Sequence, residues 1–168
     1  PGAELASADG WSVTGRGGVF DPVSDATVVA SDGEQTGWVA GGGVLSLAAG
    51  VLGPDTGYSL SVDVGDRSDT DFGGYSIGLY AGGTLLAGDA DQATPGGGFV
   101  TRALALPAGA PAMAGHYGEP LEIRLSSTAG AVPGASVAVA GSSFEAPAVA
   151  DGAEGATATG WALSGAGA

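Results

Sequence analysis

The sequence predicts an all-β protein, a single antiparallel β-sandwich of the jelly-roll type. In several short segments apolar residues recur with a period of two, which places them on one face of a strand. Gly and Pro dipeptides separate these segments at the short, regular spacing that is typical of sandwiches. The Ala-rich stretch 103–114 is no helix candidate, because Pro107, Gly109 and Pro111 interrupt it.

The alternation defines most of the predicted strands. Three segments carry the clearest apolar faces: Tyr58, Leu60, Val62 and Val64; then Tyr75, Ile77 and Leu79; then Leu121, Ile123 and Leu125. Gly82-Gly83 can supply the positive φ values of a type I′ turn, so residues 79–86 are predicted to form a hairpin. A further strand is predicted from Phe99 to Leu106, and another around Val137 and Val139. Such short strands build a sandwich or jelly roll.

Length, charge and composition exclude several classes of function. The 168 residues fit one domain, and the absence of Cys excludes disulfides and thiolate metal sites. A net charge of −14 with only 4 basic residues excludes nonspecific nucleic-acid binding and docking on anionic lipid. The sequence contains no apolar run long enough to span a membrane. The acidity and the lack of an initiator Met predict a secreted protein on the cell surface.

The beginning of the chain is repeated near its end. Residues 9–17 (DGWSVTGRG) are similar to residues 159–167 (TGWALSGAG). We therefore predict a β-sandwich domain over residues 1–140, followed by a C-terminal segment over residues 141–168 that repeats the N-terminal motif.

Four segments carry a likeness to a known group of proteins. They are residues 10–22 (GWSVTGRGGVFDP), 58–67 (YSLSVDVGDR), 72–87 (FGGYSIGLYAGGTLLA) and 119–126 (EPLEIRLS). Together they resemble a bacterial β-sandwich module that occurs singly or in tandem in secreted surface proteins, with a fold similar to the galactose-binding jelly-roll group. The motifs are strand and turn patterns rather than a catalytic signature, so the resemblance is informative about the fold and says little about function. In such modules a segment similar to residues 143–152 (SFEAPAVADG) comes first, whereas here it comes last.

That order suggests self-assembly. An extended strand over residues 142–150 would satisfy the open sheet edge of a second copy, and head-to-tail donation builds a filament. The residues of this donor strand would be Ser143, Phe144, Glu145, Pro147 and Val149. The alternative is that the segment folds back onto its own sandwich. We therefore predict a secreted structural or adhesive subunit whose partner is itself, in a homopolymer or a tandem array.

The alternative function is a carbohydrate-binding module of a larger surface or virion-spike protein, with cell-surface polysaccharide as its partner. Exposed aromatic rings can stack on sugars, and an arginine can hold sugar hydroxyls. The candidates are Tyr80, Trp38, Tyr117 and Arg16. Trp11 and Trp38 also have a structural interpretation, because tryptophans in a chain of this size commonly anchor the core.

One acidic segment is a candidate calcium site. Asp63, Asp66, Asp69 and Asp71 lie close together and offer the oxygen ligands that Ca²⁺ prefers. The spacing is not that of an EF-hand, because no Glu follows at the twelfth position. The alternative is a solvated loop in which Arg67 pairs with the acids. A looser set of candidate ligands is Asp21, Asp25 and Asp32.

The sequence offers little for catalysis. His116 is the single histidine, and the chain has no Gly-x-Ser-x-Gly motif to carry a nucleophile. One histidine without sulfur ligands does not make a zinc site. A pair of carboxylates for glycoside hydrolysis stays open among the 18 acids. The sequence therefore predicts a protein that is not an enzyme, with Ca²⁺ as the only candidate cofactor.

Overall fold

The computed structural model describes residues 7–8, 11–20, 36–66, 71–91, 98–128, 136–140, 154–155 and 164–167. Its strands are β1 (Ser7–Ala8), β2 (Trp11–Phe20), β3 (Thr36–Val51), β4 (Thr56–Gly65), β5 (Tyr75–Ala81), β6 (Thr84–Asp91), β7 (Phe99–Leu106), β8 (Pro120–Ser127), β9 (Ser136–Ala140), β10 (Glu154–Gly155) and β11 (Ser164–Gly167). A 3₁₀ turn over Pro111–Met113 lies between β7 and β8. The strands pair antiparallel, which confirms the predicted fold class. Within the described ranges no helix is long and apolar enough to cross a membrane.

Two sheets share β2 and β3. The front sheet consists of residues 11–14 of β2, residues 44–51 of β3, and then β8, β5 and β6. The back sheet consists of residues 16–20 of β2, residues 36–40 of β3, and then β9, β4 and β7. Hydrogen bonding is therefore continuous around one side of the sandwich.

Glycines allow the β2–β3 ribbon to pass from one sheet to the other. The register shifts between Thr14 and Arg16, next to Gly15, whose φ is 77°. On the partner strand Gly41 and Gly42 have φ values of 55° and 78°. Positive φ is open to glycine at little cost, so the paired strands can bend sharply at this point.

The predicted apolar faces form the core between the sheets. The buried positions of β4, β5 and β8 are Tyr58, Leu60, Val62, Val64, Tyr75, Ile77, Leu79, Leu121, Ile123 and Leu125. Trp11 and Val39 join them, and Met113 of the 3₁₀ turn inserts at one end. A slip of one residue would turn each of these faces toward solvent, and each large side chain buried contributes about 1.5–3 kcal/mol. The core therefore sets the register of the strands.

The predicted hairpin is confirmed. Strand β5 ends at Ala81 and β6 begins at Thr84, with Gly82 and Gly83 between them at φ values of 53° and 88°. Two successive positive φ values are what a type I′ turn requires. The predicted strands over Phe99–Leu106 and around Val137 are also present, as β7 and β9.

The described parts of the C-terminal segment pair within the chain. Strand β10 pairs with the end of β2, and β11 pairs with the beginning of β4. The proposed donor strand, with Ser143, Phe144, Glu145, Pro147 and Val149, lies outside the described residues. The domain boundary at residue 140 stays a prediction.

The side of the sandwich opposite the β2–β3 ribbon is open. Among the described strands, β6 pairs with β5 alone and β7 pairs with β4 alone. These two edge strands belong to different sheets and lie in contact with each other. Side chains that point inward from β6 and β7 therefore line the mouth of the sandwich.

Candidate functional site

Two carboxylates on β6 point into the sandwich at this open edge. Asp91 lies directly opposite Tyr75, and Asp89 lies opposite Ile77. Residues that face each other on antiparallel strands project from the same face of the sheet. Because Tyr75 and Ile77 are core residues, both carboxylates share the interior face with them.

One arginine approaches these carboxylates from the other sheet. Arg102 of β7 lies opposite Val62, a core residue of β4, so its side chain also projects inward. Its Nη2 donates a hydrogen bond to Asp91 Oδ2 over 2.7 Å. The side chains of Arg102 and Asp91 are 31% and 33% exposed, so this pair lies at the mouth rather than deep in the core.

Tyr75 links the carboxylates to the core. Its hydroxyl donates a hydrogen bond to Asp89 Oδ2 over 2.8 Å, and the residue is 1% exposed. Burial, followed by the hydrogen bond and the charge of Asp89, raises the pKa of Tyr75 to about 12, against the opposing charge of Arg102. The phenol therefore keeps its proton at neutral pH and remains a donor to Asp89.

Tyr75, Asp89, Asp91 and Arg102 together form what we call the edge cluster. The Arg102 guanidinium carbon lies 5.7 Å from the centre of the Tyr75 ring, so the cation faces the ring as well as Asp91. Val100 also points inward on β7, opposite core residues, and is 37% exposed at the same edge. The mouth thus combines two carboxylates, a phenol and a guanidinium with apolar surface. Such a set can move a proton and can stabilise charge in surroundings of low polarity.

The edge cluster is not among the residues predicted from the sequence, although a signal was present. Arg102 has the same parity as Leu104 and Leu106 in the predicted strand, and these are buried. Asp89 and Asp91 are two residues apart and so share a face of β6. A charged side chain in phase with an apolar face either has a buried partner or serves a function, and that parity could have identified these residues.

The structure does not bring the predicted sugar-binding residues together. Tyr80 alternates with the core residues of β5 and lies on the outer face of the front sheet. Trp38 belongs to the back sheet and is 7% exposed, so it is buried rather than available for stacking. Tyr117 is 42% exposed, after the 3₁₀ turn, and Arg16 is exposed where β2 bends.

Trp38 is buried on the outer side of the back sheet. It flanks the core residue Val39 and packs with Ala40 and Phe99 in a small separate cluster. The core interpretation of this tryptophan was therefore nearer to the structure than the sugar-binding one.

Tyr80 belongs to a polar group on the outer face of the front sheet. The Arg124 guanidinium carbon lies 4.4 Å from the centre of the Tyr80 ring, and Arg124 Nη2 donates to Glu122 Oε2 over 2.6 Å. The hydrogen bond from Arg124 lowers the pKa of Glu122, and Glu122 in turn raises the pKa of Arg124. This group repeats the arginine, carboxylate and tyrosine of the edge cluster on a face turned away from the core.

The predicted calcium ligands are only partly described. Asp63 accepts a hydrogen bond from Thr101 over 2.6 Å, Asp66 is buried and Asp71 is exposed. The remaining predicted ligands lie outside the described residues: Asp69, Asp21, Asp25 and Asp32. In the part of the chain that the structure describes, no three His, Asp or Glu side chains are grouped to hold a metal. The calcium site stays a prediction.

His116 lies in the segment between the 3₁₀ turn and β8. Its Nδ1 is 2.8 Å from Glu119 Oε2, and its side chain is 25% exposed. The backbone N–H of His116 donates to Met113 O, and that of Glu119 donates to His116 O. These contacts lie within the segment, and backbone hydrogen bonds of Leu52 with Gly118 and Glu119 hold the segment against the end of β3.

Comparisons with known proteins identify the family. The model of the HpiC1-like family, described as HpiC1 cyclase, matches residues 2–134. A search of curated proteins finds no match. The matched residues include strands β1 to β8 and therefore all four residues of the edge cluster.

Solved cyclase structures share the fold. An apo cyclase from Fischerella sp. is 24% identical, with a TM-score of 0.64 over 81% of this chain and 82% of that one. The Stig cyclase Fisc from Fischerella sp. TAU, in complex with (3Z)-3-(1-methyl-2-pyrrolidinylidene)-3H-indole, is 22% identical, with a TM-score of 0.62 over 78% and 81%. A cyclase from Fischerella sp. TAU in complex with 4-(1H-indol-3-yl)butan-2-one is 24% identical, with a TM-score of 0.63 over 78% and 81%.

These findings correct several predictions. The β-sandwich part of the resemblance is supported, but no secreted repeat module is shown. The predicted absence of enzymatic activity is wrong, because the matching family is one of cyclases. The filament built by strand donation from residues 142–150, the self-partner and the polysaccharide partner are wrong for the same reason. Strand and turn patterns are common to sandwiches of many functions, so they could not determine the activity. From the match over most of its length, the chain belongs to the HpiC1-like cyclase family.

Proposed function

We propose that this protein is a cyclase that closes a ring in a small, largely apolar aromatic molecule at the edge cluster. The observation that carries the proposal is the Tyr75–Asp89 hydrogen bond of 2.8 Å on the interior face of the sandwich. A polar pair in that position costs stability unless it is satisfied, and proteins keep such pairs at functional sites. The indole compounds bound by two similar cyclases suggest an indole-bearing substrate.

The chemistry we propose is proton-initiated ring closure. Asp89 in its acid form gives a proton to an alkene carbon of the substrate, whose π electrons form the new C–H bond. The cation left on the neighbouring carbon accepts π electrons from the aromatic ring, which forms the new C–C bond. The Asp89 carboxylate then removes the proton from that ring carbon. Substrate and product are isomers, so the reaction needs neither oxidant nor reductant.

The other residues of the edge cluster support Asp89 in this proposal. Tyr75 holds the Asp89 carboxylate in place through its hydroxyl. The apolar surface beside it, including Val100, keeps water away from the cation, which would otherwise be trapped as an alcohol. Arg102 and Asp91 compensate each other's charge at the mouth.

The test uses 3-(4-methylpent-3-enyl)indole in deuterated buffer, followed by mass spectrometry and NMR. We expect a tricyclic isomer that carries one deuterium, because the proton added to the alkene exchanges with solvent on Asp89. Loss of a general acid lowers rates by about 10²–10⁴-fold, and we expect that range for Asp89→Asn. Glu122→Gln is the matched control, since it changes a carboxylate on the outer face. Equal rates for Asp89→Asn and the native protein would overturn the assignment.

Two earlier predictions remain proposals. We also propose Ca²⁺ as a ligand of the acidic segment that includes Asp63, Asp66, Asp69 and Asp71, on the grounds of its oxygen-rich composition. Secretion is supported by the net charge of −14 alone.

A further inference from the structure

Arg102 is anchored on one side only. A guanidinium has five N–H donors, and the described residues of this structure use one of them, in the bond from Nη2 to Asp91. Asp91 fixes the edge of the guanidinium, and the Tyr75 ring supports its face at 5.7 Å. The side chain is thus held in place before any ligand arrives.

The Nε group of Arg102 is the clearest sign of a missing partner. It is buried, and it has no hydrogen-bond partner among the described residues. Buried donors are almost always paired, and an exception calls for an explanation. The side chain as a whole is 31% exposed, so it can be reached from the mouth.

The other members of the edge cluster leave no donor for an acceptor atom of the ligand. The Tyr75 hydroxyl is already committed to Asp89, the proton of Asp89 is the one that the proposed reaction gives to the alkene carbon, and Asp91 accepts the hydrogen bond from Arg102. Arg102 is therefore the cluster residue that can recognise an acceptor atom.

Charge decides which kind of acceptor fits. The cluster holds two carboxylates and one guanidinium, in a chain whose net charge is −14. An anionic ligand would meet repulsion from the protein as a whole. An uncharged acceptor, such as a carbonyl oxygen, meets none.

We propose that Arg102 determines substrate specificity by donating a hydrogen bond to an uncharged carbonyl-type acceptor on an aromatic substrate at the edge cluster. This inference rests on the proposed function, because it takes the edge cluster as the place where the substrate binds. The arginine fork acts as a pre-organised donor, with Asp91 and Tyr75 as its supports.

The experiment compares three indoles by calorimetry on the full chain. 4-(1H-indol-3-yl)butan-2-one carries a ketone, 3-butylindole replaces its carbonyl by a methylene, and 4-(1H-indol-3-yl)butanoate carries an anion. We expect the ketone to bind about tenfold more tightly than 3-butylindole, the usual effect of one hydrogen bond to a charged donor. The butanoate should bind more weakly than the ketone.

Variants assign this preference to Arg102. Arg102→Met should bind both neutral indoles with equal affinity. Arg124→Met is the matched control, because Arg124 makes the same kinds of contact on the outer face. If Arg102→Met does not fold cooperatively, Arg102→Lys serves instead, and it should lose most of the preference because lysine lacks the planar fork.

Each outcome is decisive. Equal binding of the ketone and 3-butylindole to the native protein overturns the inference and leaves the proposed indole site intact. A preference that survives in Arg102→Met overturns it as well, and tighter binding of the butanoate refutes the uncharged class. If none of the three indoles binds, the proposed substrate class fails and the inference fails with it.

Discussion

At the scale of a single residue, Tyr75 belongs both to the apolar core and to the polar edge cluster. Its ring lies in the core at 1% exposure, while its hydroxyl reaches Asp89 at the open edge. Burial first, and then the Asp89 carboxylate, disfavour the phenolate and raise the pKa of Tyr75 to about 12. Folding therefore favours the neutral form of Tyr75 over the phenolate.

This coupling predicts how stability depends on pH in the alkaline range. An unfolded tyrosine has a pKa of 10.0, and the folded value is about 12. The folded state holds the Tyr75 proton more tightly than the unfolded state does. The resulting contribution to the free energy of unfolding is therefore fully present below pH 10.0 and is lost as pH rises toward about 12.

Absorbance titration at the tyrosinate band measures this directly. The difference between the native protein and Tyr75→Phe should show one tyrosine that ionises near pH 12, and Tyr75→Phe should lose less stability between pH 10 and 12. Tyr80→Phe is the control, because Tyr80 lies on the outer face. A difference curve centred near pH 10.0 would contradict the coupling of Tyr75 to the core.

At the scale of secondary structure elements, the β2–β3 ribbon is the part of the fold that joins the two sheets. Its alternating residues supply Trp11, Val39 and Leu45 to the core from both sheets. Both strands bend at glycines, and a Cβ on Gly43 would collide with the backbone carbonyl of Arg16. The passage of β2 and β3 from one sheet to the other therefore requires a residue without a side chain at position 43.

Gly43→Ala tests that dependence. The methyl group meets main-chain atoms that cannot move without disturbing the β2–β3 pairing, so we expect a loss of about 1–3 kcal/mol in the free energy of unfolding. Denaturant titration measures the loss. Gly98→Ala is the matched control, since open space surrounds a Cβ there and the change should be within about 0.5 kcal/mol. Equal effects of the two substitutions would show that the crossing tolerates a side chain.

Net charge acts at the scale of the whole molecule. With 18 carboxylates against 4 basic residues, self-repulsion opposes the compact state, and a bound cation would relieve it. A ligand that binds the folded state alone also stabilises it by mass action. The predicted calcium site thus has a measurable consequence for the stability of the entire fold.

Thermal unfolding with and without Ca²⁺ measures that consequence. We expect the Tm to rise in millimolar Ca²⁺ and to return to its original value with excess EDTA. The double variant Asp69→Asn, Asp71→Asn should abolish the rise, whereas Asp55→Asn, on a separate turn, should keep it. A rise that Mg²⁺ reproduces at equal ionic strength would indicate general screening of charge and would refute a specific site.

Membership of the cyclase family concerns the whole molecule too, and it overturned the prediction of a structural, non-enzymatic protein. A sandwich of short alternating strands serves structural, sugar-binding and catalytic proteins alike. The proposed site includes neither His116 nor any motif contiguous in sequence. The edge cluster draws Tyr75 from β5, Asp89 and Asp91 from β6, and Arg102 from β7. A contiguous motif could therefore not reveal it, and the local signal was the parity of Arg102 with the buried residues Leu104 and Leu106.

The sequence by itself determined strands β4 to β9, the buried faces of β4, β5 and β8, and the β5–β6 hairpin. These features are local, because side chains alternate with a period of two along any strand and because two adjacent glycines allow a type I′ turn. Tertiary structure alone decided that β2 and β3 belong to both sheets, that Trp38 is buried and that Arg102 meets Asp91 across the open edge. The physical reason is that these contacts depend on how two sheets pack, and the alternation of a single strand carries no information about its partner in the other sheet.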